Sequence, residues 1–245
     1  MTELPIFVKG RYGPRGVENM RRLFVALFWL FARRVGTGLE NMPPGGVIMC
    51  PNHLSRFDPP LVFSFLANRK TTVFNADTYR SSRFFRFVME STDVIWVNRG
   101  NIGPSVIKAA VKTLKEGAIL GVAPEGTRSK TGALQTGKTG AVFMAYASGA
   151  PIVPVAVTNT DRLVPSIKKL RRITLTATYG KPMYFKMAGR ERPTSAQLEA
   201  DTTEVMCRLA AMLPARYRGV YAEYPRTLEL VAQNGEPATT ATLVE

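Results

Sequence analysis

Histidine, cysteine and acidic residues are all scarce in this sequence of 245 residues. The two cysteines, Cys50 and Cys207, are too few for a disulfide framework, and their apolar surroundings are typical of a protein from a reducing cytoplasm. With His53 as its single histidine, the chain cannot supply the four cysteine or histidine ligands of a structural zinc site. We therefore expect no metal site, and any imidazole chemistry must use His53.

The shortage of acidic residues leaves a strong positive charge. The sequence has 33 Lys and Arg against 18 Asp and Glu, which gives a formal net charge of +15 at neutral pH. Such a balance indicates an anionic partner, and composition alone leaves nucleic acid, an anionic membrane surface and a phosphorylated substrate as alternatives. Residues 161–192 carry nine basic and two acidic side chains, which predicts a basic surface patch there.

The sequence also lacks an apolar stretch long enough to cross a bilayer as a simple helix. Its most hydrophobic segment is residues 23–32, with a pair of arginines on each side. A helix of that length spans about 15 Å, or about half of the hydrocarbon core of a bilayer. It suits the membrane interface, and a helix buried in the protein core is the alternative. We predict that residues 1–37 form an N-terminal membrane-docking helical segment, without a cleavable signal peptide.

Short apolar runs alternate with helical patterns from residue 38 onward. This alternation predicts an α/β domain over residues 38–226, with a mixed, mostly parallel central sheet flanked by helices. The loops that follow the strands of such a sheet gather on one rim, where ligands bind. Residues 227–245 are predicted to be a disordered tail. The predicted strands are residues 47–50, 71–75, 94–97, 119–123, 152–157 and 173–179, and the predicted helices are residues 61–67, 82–89, 105–114, 141–147 and 196–212.

His53 directly follows the first of these strands and has a carboxylate nearby in sequence. Asp58 is five residues further on, a spacing that would place the two side chains about 140° apart in a continuous helix. A pair in contact therefore needs a turn, and Pro59 favours one by making Asp58 a natural N-cap of the next helix. An imidazole oriented by a carboxylate is a general base. The alternative is that Asp58 only caps the helix and His53 is a loop residue.

Two arginines follow other strands of the predicted sheet. Arg99 comes after residues 94–97, and Arg128 comes shortly after residues 119–123, so both are expected on the rim that carries His53. A guanidinium group binds phosphate oxygens through a planar, bidentate fork. Two of them around a histidine base favour a phosphorylated acceptor.

Four short motifs in this order resemble those of the glycerolipid acyltransferase family, whose type member is 1-acyl-sn-glycerol-3-phosphate acyltransferase. The resemblance covers about residues 38–182. It implies that His53 is the general base, that Asp58 orients it, and that Arg99 and Arg128 bind the acceptor phosphate. By the same resemblance, Glu125, Gly126 and Thr127 shape the acceptor pocket, while Ile152, Val153 and Pro154 line an apolar wall. The motifs are Asn52-His53-x4-Asp58, Val97-x-Arg99, Pro124-Glu125-Gly126-Thr127-Arg128 and Pro151-Ile152-Val153-Pro154-Val155.

The resemblance also implies a reaction and a location. A fatty acyl group passes from acyl-CoA or acyl-carrier protein to the sn-2 hydroxyl of lysophosphatidic acid and gives phosphatidic acid, a step of phospholipid biosynthesis. The thioester is a co-substrate, so no cofactor is implied. The expected partner is an anionic membrane surface and not nucleic acid, with the protein peripheral or monotopic at the cytoplasmic face.

The chain departs from the family pattern at three positions. Asp93 stands where glycine is usual, Ala123 where an aromatic residue is usual, and Asp77 where lysine is common. Glycerol-3-phosphate, another lysophospholipid and a lyso-aminolipid therefore stay open as alternative acceptors. A non-enzymatic basic protein that binds membranes or nucleic acid is the alternative from another class, although it leaves His53 and Asp58 without a role.

Overall fold

An eight-stranded β-sheet organises the protein in a computed structural model that describes residues 7–9, 13–67, 69–76, 93–97, 103–186 and 192–237. The strand order is β1-β5-β4-β6-β3-β7-β8-β2. The α/β class with a mixed, mostly parallel sheet is confirmed. The strands are β1 (Phe7–Val8), β2 (Ala32–Thr37), β3 (Val47–Pro51), β4 (Thr71–Ala76), β5 (Asp93–Val97), β6 (Ile119–Gly121), β7 (Ile152–Thr158) and β8 (Ile173–Tyr179).

The strand directions bring several chain segments to one edge of the sheet. Strands β3 to β7 run parallel to one another. Strand β1 runs antiparallel to β5, and β8 runs antiparallel to β7 and parallel to β2. The carboxyl ends of β3 to β7 therefore meet the beginnings of β8 and β2, where Ile173 lies beside Ala32. We call this edge, with the loops that leave or enter it, the carboxyl rim.

Helices cover both faces of the sheet. On one face, α1 and α2 pack on side chains such as Met49, Val155 and Leu175. On the other face, α3, α4 and α6 pack on Ile48, Ile152 and their neighbours. Every residue of β7 is buried as a result, as expected for a strand covered on both sides. The helices are α1 (Gly13–Phe31), α2 (Asp58–Phe63), α3 (Pro104–Lys115), α4 (Gly140–Ser148), α5 (Leu163–Lys168), α6 (Ser195–Ala211) and α7 (Pro225–Asn234).

The N-terminal segment is not separate from the domain. Helix α1 buries Phe28 against the sheet, while Leu23, Leu27, Trp29 and Leu30 stay exposed. Residues 32–37 then form β2, which pairs along its whole length with β8, so the predicted boundary at residue 37 is wrong. The sequence does not signal this strand because it lies at the sheet edge, where charged residues such as its two arginines are favoured. Within the described residues, no helix has both the length and the apolar character needed to cross a membrane.

The predicted disordered tail is wrong up to Asn234, because α7 extends to that residue. Arg226 in the first turn of α7 binds Glu204 of α6 at 2.9 Å, and the buried Arg218 binds Glu236 beyond the helix. These contacts join residues far apart in sequence, so composition alone could not reveal them. Residues 238–245 and the predicted helix over 82–89 lie outside the described residues.

Candidate active site

His53 and Asp58 form a hydrogen-bonded pair on the carboxyl rim. The imidazole Nδ1 lies 2.7 Å from Oδ2 of Asp58. The side chain of His53 is 20% exposed, whereas that of Asp58 is 1% exposed. An ionised carboxylate only accepts hydrogen bonds, so Nδ1 carries the proton and Nε2 keeps its lone pair. Among the described residues, Nε2 has no hydrogen-bond partner. The pair predicted from the sequence is therefore in contact, with the outer nitrogen available as a base.

Asp58 is held by more than the histidine. It is the first residue of α2, and Phe57 occupies the N-cap position without a side-chain hydrogen bond, so the predicted capping role of Asp58 is wrong. Its carboxylate points back into the loop instead, where Oδ2 accepts from the Ser55 backbone N–H at 2.7 Å. The hydroxyl of Thr160 donates to the other oxygen, Oδ1. Three donors thus fix the orientation of a buried charge, which a lone hydrogen bond would not do.

Thr160 is a site residue that the sequence analysis missed. It follows β7, and its buried hydroxyl reaches Asp58 because the chain turns sharply at Asn159. Asn159 has φ 65°, a left-handed conformation that asparagine tolerates better than most residues. The side-chain amide of Asn159 also donates a hydrogen bond to the Thr174 carbonyl at 2.8 Å. An asparagine just after a strand is the one signal in the sequence, and it marks the turn without revealing the target of Thr160.

Asn52 fixes the start of the loop that carries His53. Its side-chain amide donates to the Val157 carbonyl at 3.0 Å, and its side-chain oxygen accepts from the Val157 N–H at 2.7 Å. These two bonds continue the pairing of β3 with β7 past Pro51, which has no backbone N–H to donate. His53 therefore leaves the sheet at a defined point.

Glu125 is a structural bridge between two loops of the rim. Its buried carboxylate accepts from the backbone N–H groups of His53 and Gln135, both at 2.9 Å. Burial raises the pKa of Glu125, while the same two backbone hydrogen bonds act to lower it. A third bond, from the Ser129 N–H to the His53 carbonyl at 2.8 Å, joins the same loops. Glu125 thus acts on His53 through the backbone and does not line the cavity that adjoins the His53–Asp58 pair.

Gly126 and Thr127 follow in the same loop. Gly126 has φ 70°, which a glycine adopts without strain, and the Lys138 side chain packs so closely that an added Cβ would lie 3.0 Å from it. Thr127 is half-buried, and neither residue lines the cavity.

A cavity of about 250 Å³ adjoins the pair on the face of the sheet covered by α2. Gly121 lies between Met49 and Val73 in the strand register, and it leaves room there because it has no side chain. Most of the lining is apolar, and the ionisable residues that line it are His53, Asp58, Arg56 and Arg128. The apolar side chains of the lining are Met49, Pro51, Pro59, Val62, Phe63, Leu66, Val73, Phe74 and Ala123.

Not every predicted substrate residue lines this cavity. Arg128 lines the cavity, whereas Arg99 lies outside the described residues. Ile152 and Val153 are fully buried within β7 and do not reach the cavity. Pro154 lines a second cavity, of about 720 Å³, on the opposite face of the sheet. Arg56 lines the cavity beside His53 but was not predicted as a site residue. Its position between His53 and Asp58 in the sequence could have indicated it.

The described residues offer little chemistry beyond this pair. No group of three or more His, Cys, Asp or Glu that could hold a metal ion lies within them. Cys50 is buried, and burial raises the pKa of its thiol to about 12. A thiol in this state is a poor nucleophile because the thiolate is the reactive form.

Comparisons with known proteins identify the family of the chain. A model of the Acyltransferase family matches residues 33–158, about half of the chain. The 1-acyl-sn-glycerol-3-phosphate acyltransferase of Borreliella burgdorferi is 32% identical over 146 residues, which are 58% of this chain and 58% of the relative. The Salmonella typhimurium protein of the same name is 31% identical over 158 residues, 62% of this chain and 63% of the relative. The chain thus spans about three fifths of the length of these relatives.

A solved structure shares the fold. The crystal structure of the 1-acyl-sn-glycerophosphate (LPA) acyltransferase PlsC from Thermotoga maritima matches with a TM-score of 0.59. The match covers 80% of this chain and 77% of that chain at 24% sequence identity. This likeness supports the architecture of the sheet and its helices.

Proposed function

Because the chain belongs to the Acyltransferase family, we propose that it transfers a fatty acyl group from a thioester, acyl-CoA or acyl-carrier protein, to the sn-2 hydroxyl of lysophosphatidic acid. The product is phosphatidic acid. The observation that carries this proposal is the His53–Asp58 pair beside a mainly apolar cavity that Arg128 also lines. The names of the relatives support the choice of acceptor.

His53 is the general base of the proposed reaction. Its Nε2 takes the proton of the acceptor hydroxyl while the oxygen attacks the thioester carbonyl carbon. Asp58 keeps the proton on Nδ1 and stabilises the imidazolium that forms. The C–S bond breaks, the sulfur leaves with the electron pair, and the imidazolium returns the proton to it. An ester and a free thiol result, and the weak basicity of a thiolate, whose acid has a pKa of about 8.5, makes a stronger acid unnecessary.

The charges of the cavity fit a phosphorylated acceptor. Arg128 and Arg56 both line the cavity that contains His53. A guanidinium binds a phosphate through two parallel hydrogen bonds, which would fix the distance between the headgroup and the reacting hydroxyl. Glycerol-3-phosphate and other phosphorylated lysolipids share this chemistry and are the alternative acceptors.

The apolar lining fits a fatty acyl chain, and the substrates in turn require a membrane. Each buried CH₂ contributes about 0.8 kcal/mol to membrane partitioning, so a lysolipid resides mostly in the bilayer. Helix α1 presents five exposed large apolar side chains beside several arginines, a combination that suits the interface of an anionic bilayer. The proposed location is therefore peripheral or monotopic at the cytoplasmic face, where the two buried cysteines stay reduced.

Thiol release from acyl-CoA and from acyl-carrier protein tests the reaction class and the acceptor together. The purified full chain is assayed with lysophosphatidic acid, glycerol-3-phosphate, a zwitterionic lysophospholipid and a lyso-aminolipid. We expect the fastest turnover with lysophosphatidic acid. His53→Ala should lower kcat by about 10²–10⁴, because the positioned base is lost. Equal turnover by this variant would refute the role of His53, and faster turnover with another acceptor of this panel would refute the proposed substrate.

A further inference from the structure

A leucine stands fully exposed at the tip of the turn between α5 and β8. Leu170 is 96% exposed, and its backbone has φ 53°. A leucine rarely adopts this left-handed conformation, which glycine and asparagine adopt more readily. Neither burial nor backbone preference accounts for an apolar side chain at this position.

The residues around Leu170 are strongly basic. Lys168 and Lys169 precede it, and Arg171 and Arg172 follow it, all with exposed side chains. An apolar tip surrounded by positive charge fits the interface of an anionic bilayer, where the apolar group enters the acyl region and the cations meet the phosphates. A nucleic acid would use the charges but would give the leucine no role.

The turn is attached to the end of α1. Arg172 donates to the Trp29 carbonyl at 2.6 Å, and β8 begins beside β2 directly after the turn. Trp29, the neighbouring aromatic side chain, is 73% exposed. A groove between the two segments is lined by Trp29 and by five arginines, which are Arg21, Arg22, Arg33, Arg34 and Arg172.

This surface lies close to the candidate active site. The turn enters the carboxyl rim at β8, two strands away from β3 and His53, which is about 10 Å at the usual spacing of strands. Helix α1 also contacts the cavity wall, because Phe24 packs edge-to-face on Phe63 with their ring centres 6.2 Å apart. A membrane bound at this surface would face the rim that holds the reacting groups.

We infer that the Leu170 turn is a second membrane-insertion point, which acts beside α1 and binds an anionic phospholipid bilayer. The inference rests on the proposed function for the location of the acceptor. It adds a specific contact: Leu170 enters the bilayer, and the four flanking cations bind lipid phosphates. Two contacts, one on each side of the arginine groove, define the orientation of the carboxyl rim toward the membrane.

Vesicle binding by Leu170→Asn tests the insertion. Asparagine suits the left-handed backbone, so the variant should unfold at the same temperature as the unchanged protein or a higher one. We expect its partitioning onto vesicles of phosphatidylcholine with 30% phosphatidylglycerol to fall about tenfold, since one apolar side chain no longer enters the bilayer. Leu228→Gln, at an exposed leucine on α7, is the matched control and should bind as the unchanged protein does.

A second variant reports on the depth of the turn. Leu170→Cys can be labelled selectively with an environment-sensitive dye because Cys50 and Cys207 are buried. The dye should shift to the blue on vesicles and be quenched by brominated acyl chains. Replacing Lys168 and Lys169 with alanine should weaken binding about fivefold per charge on anionic vesicles and have little effect on neutral ones.

The outcomes separate this inference from the proposed function. Unchanged binding by Leu170→Asn, or a dye that stays in water on vesicles, would overturn the insertion even if acyl transfer is intact. Insertion of the dye without any acyl transfer would overturn the proposed function and leave the insertion standing. Binding to DNA without binding to vesicles would overturn the membrane assignment of the turn.

Discussion

Two cavities lie on opposite faces of the same sheet, and the smaller one has the features of an active site. The cavity beside His53 has a volume of about 250 Å³, and the cavity under α6 and α7 has about 720 Å³. The sheet lies between them: Met49 of β3 and Gly121 of β6 line the smaller cavity, whereas Pro154 of β7 lines the larger one. The larger volume therefore does not mark the candidate active site.

Several polar groups of the larger cavity are already paired within the protein. The Thr37 hydroxyl donates to that of Thr178 at 3.0 Å, and the hydroxyls of Thr158 and Thr176 are 2.7 Å apart. Its arginine from α7, Arg226, is held by carboxylates. Such groups are poorly placed to recognise a ligand because their hydrogen-bonding capacity is used within the protein.

The smaller cavity has the opposite arrangement. The Nδ1 atom of His53 binds Asp58, and its backbone N–H donates to Glu125. The hydroxyl of Thr160 holds the other oxygen of Asp58. The outermost atom, Nε2, has no partner within the described part of the chain. A rigid network that leaves a single reactive atom unpaired is the arrangement that catalysis requires.

The largest expected effect comes from Asp58→Asn. The amide keeps the shape of the carboxylate but favours the wrong tautomer of His53, so kcat should fall by about 10²–10⁴. Asp201→Asn is the matched control, because Asp201 binds the Tyr146 hydroxyl at 2.6 Å on the opposite face of the sheet. Steady-state thiol release measures both variants. Similar losses of kcat in the two variants would show that Asp58 has no specific role in catalysis.

A smaller loss is expected from Arg128→Ala. Removing one charged hydrogen-bond donor from a phosphate site should lower kcat/KM for lysophosphatidic acid about 10- to 100-fold. Arg192→Ala removes an exposed arginine that does not line the cavity and should have no such effect. The same assay with an uncharged acceptor provides the contrast: an equal loss there would contradict phosphate binding by Arg128.

Features that depend on residues close together in the sequence could be predicted. Strand β8 was predicted with its observed bounds, and the contact between His53 and Asp58 and the family were confirmed. These features are visible because apolar periodicity and motif spacing are local. Strand β2 was missed because an edge strand with two arginines carries little apolar signal.

The supporting contacts of the site could not be predicted in the same way. Glu125 was assigned to the acceptor pocket by resemblance, yet its carboxylate binds backbone groups of two loops. Thr160 lies 102 positions from Asp58 in sequence, and no pattern joins them. Such contacts depend on the register between strands, which is a property of the folded sheet.

Thr160→Val examines the most distant of these supports. Valine keeps the shape of threonine but cannot donate to Asp58, so kcat should fall about tenfold with little change in KM. Thr160→Ser retains a hydroxyl and should restore most of the activity. On the opposite face, Thr158→Val removes one hydroxyl of a threonine pair and serves as the matched control. Equal kinetics for the serine and valine variants would show that the hydroxyl of Thr160 has no positioning role.

The smallest expected effect is a difference in pH dependence between a carboxylate of each region. Burial raises the pKa of Glu125 above its ordinary value of 4.5, so its contribution to stability is complete below that pH and is lost as the pH rises through the raised pKa. For Glu204, burial acts in the same direction, but hydrogen bonds from Arg226 and Arg208 outweigh it and lower the pKa below 4.5. Its contribution to stability is therefore present above pH 4.5 and lost on acidification.

Denaturant unfolding between about pH 3 and pH 8 measures both effects. Glu204→Gln should reduce the loss of unfolding free energy on acidification. Glu125→Gln should reduce the loss of unfolding free energy as the pH rises above 4.5. A change of the same sign in the pH dependence of both variants would contradict the opposite pKa shifts of the two carboxyl groups.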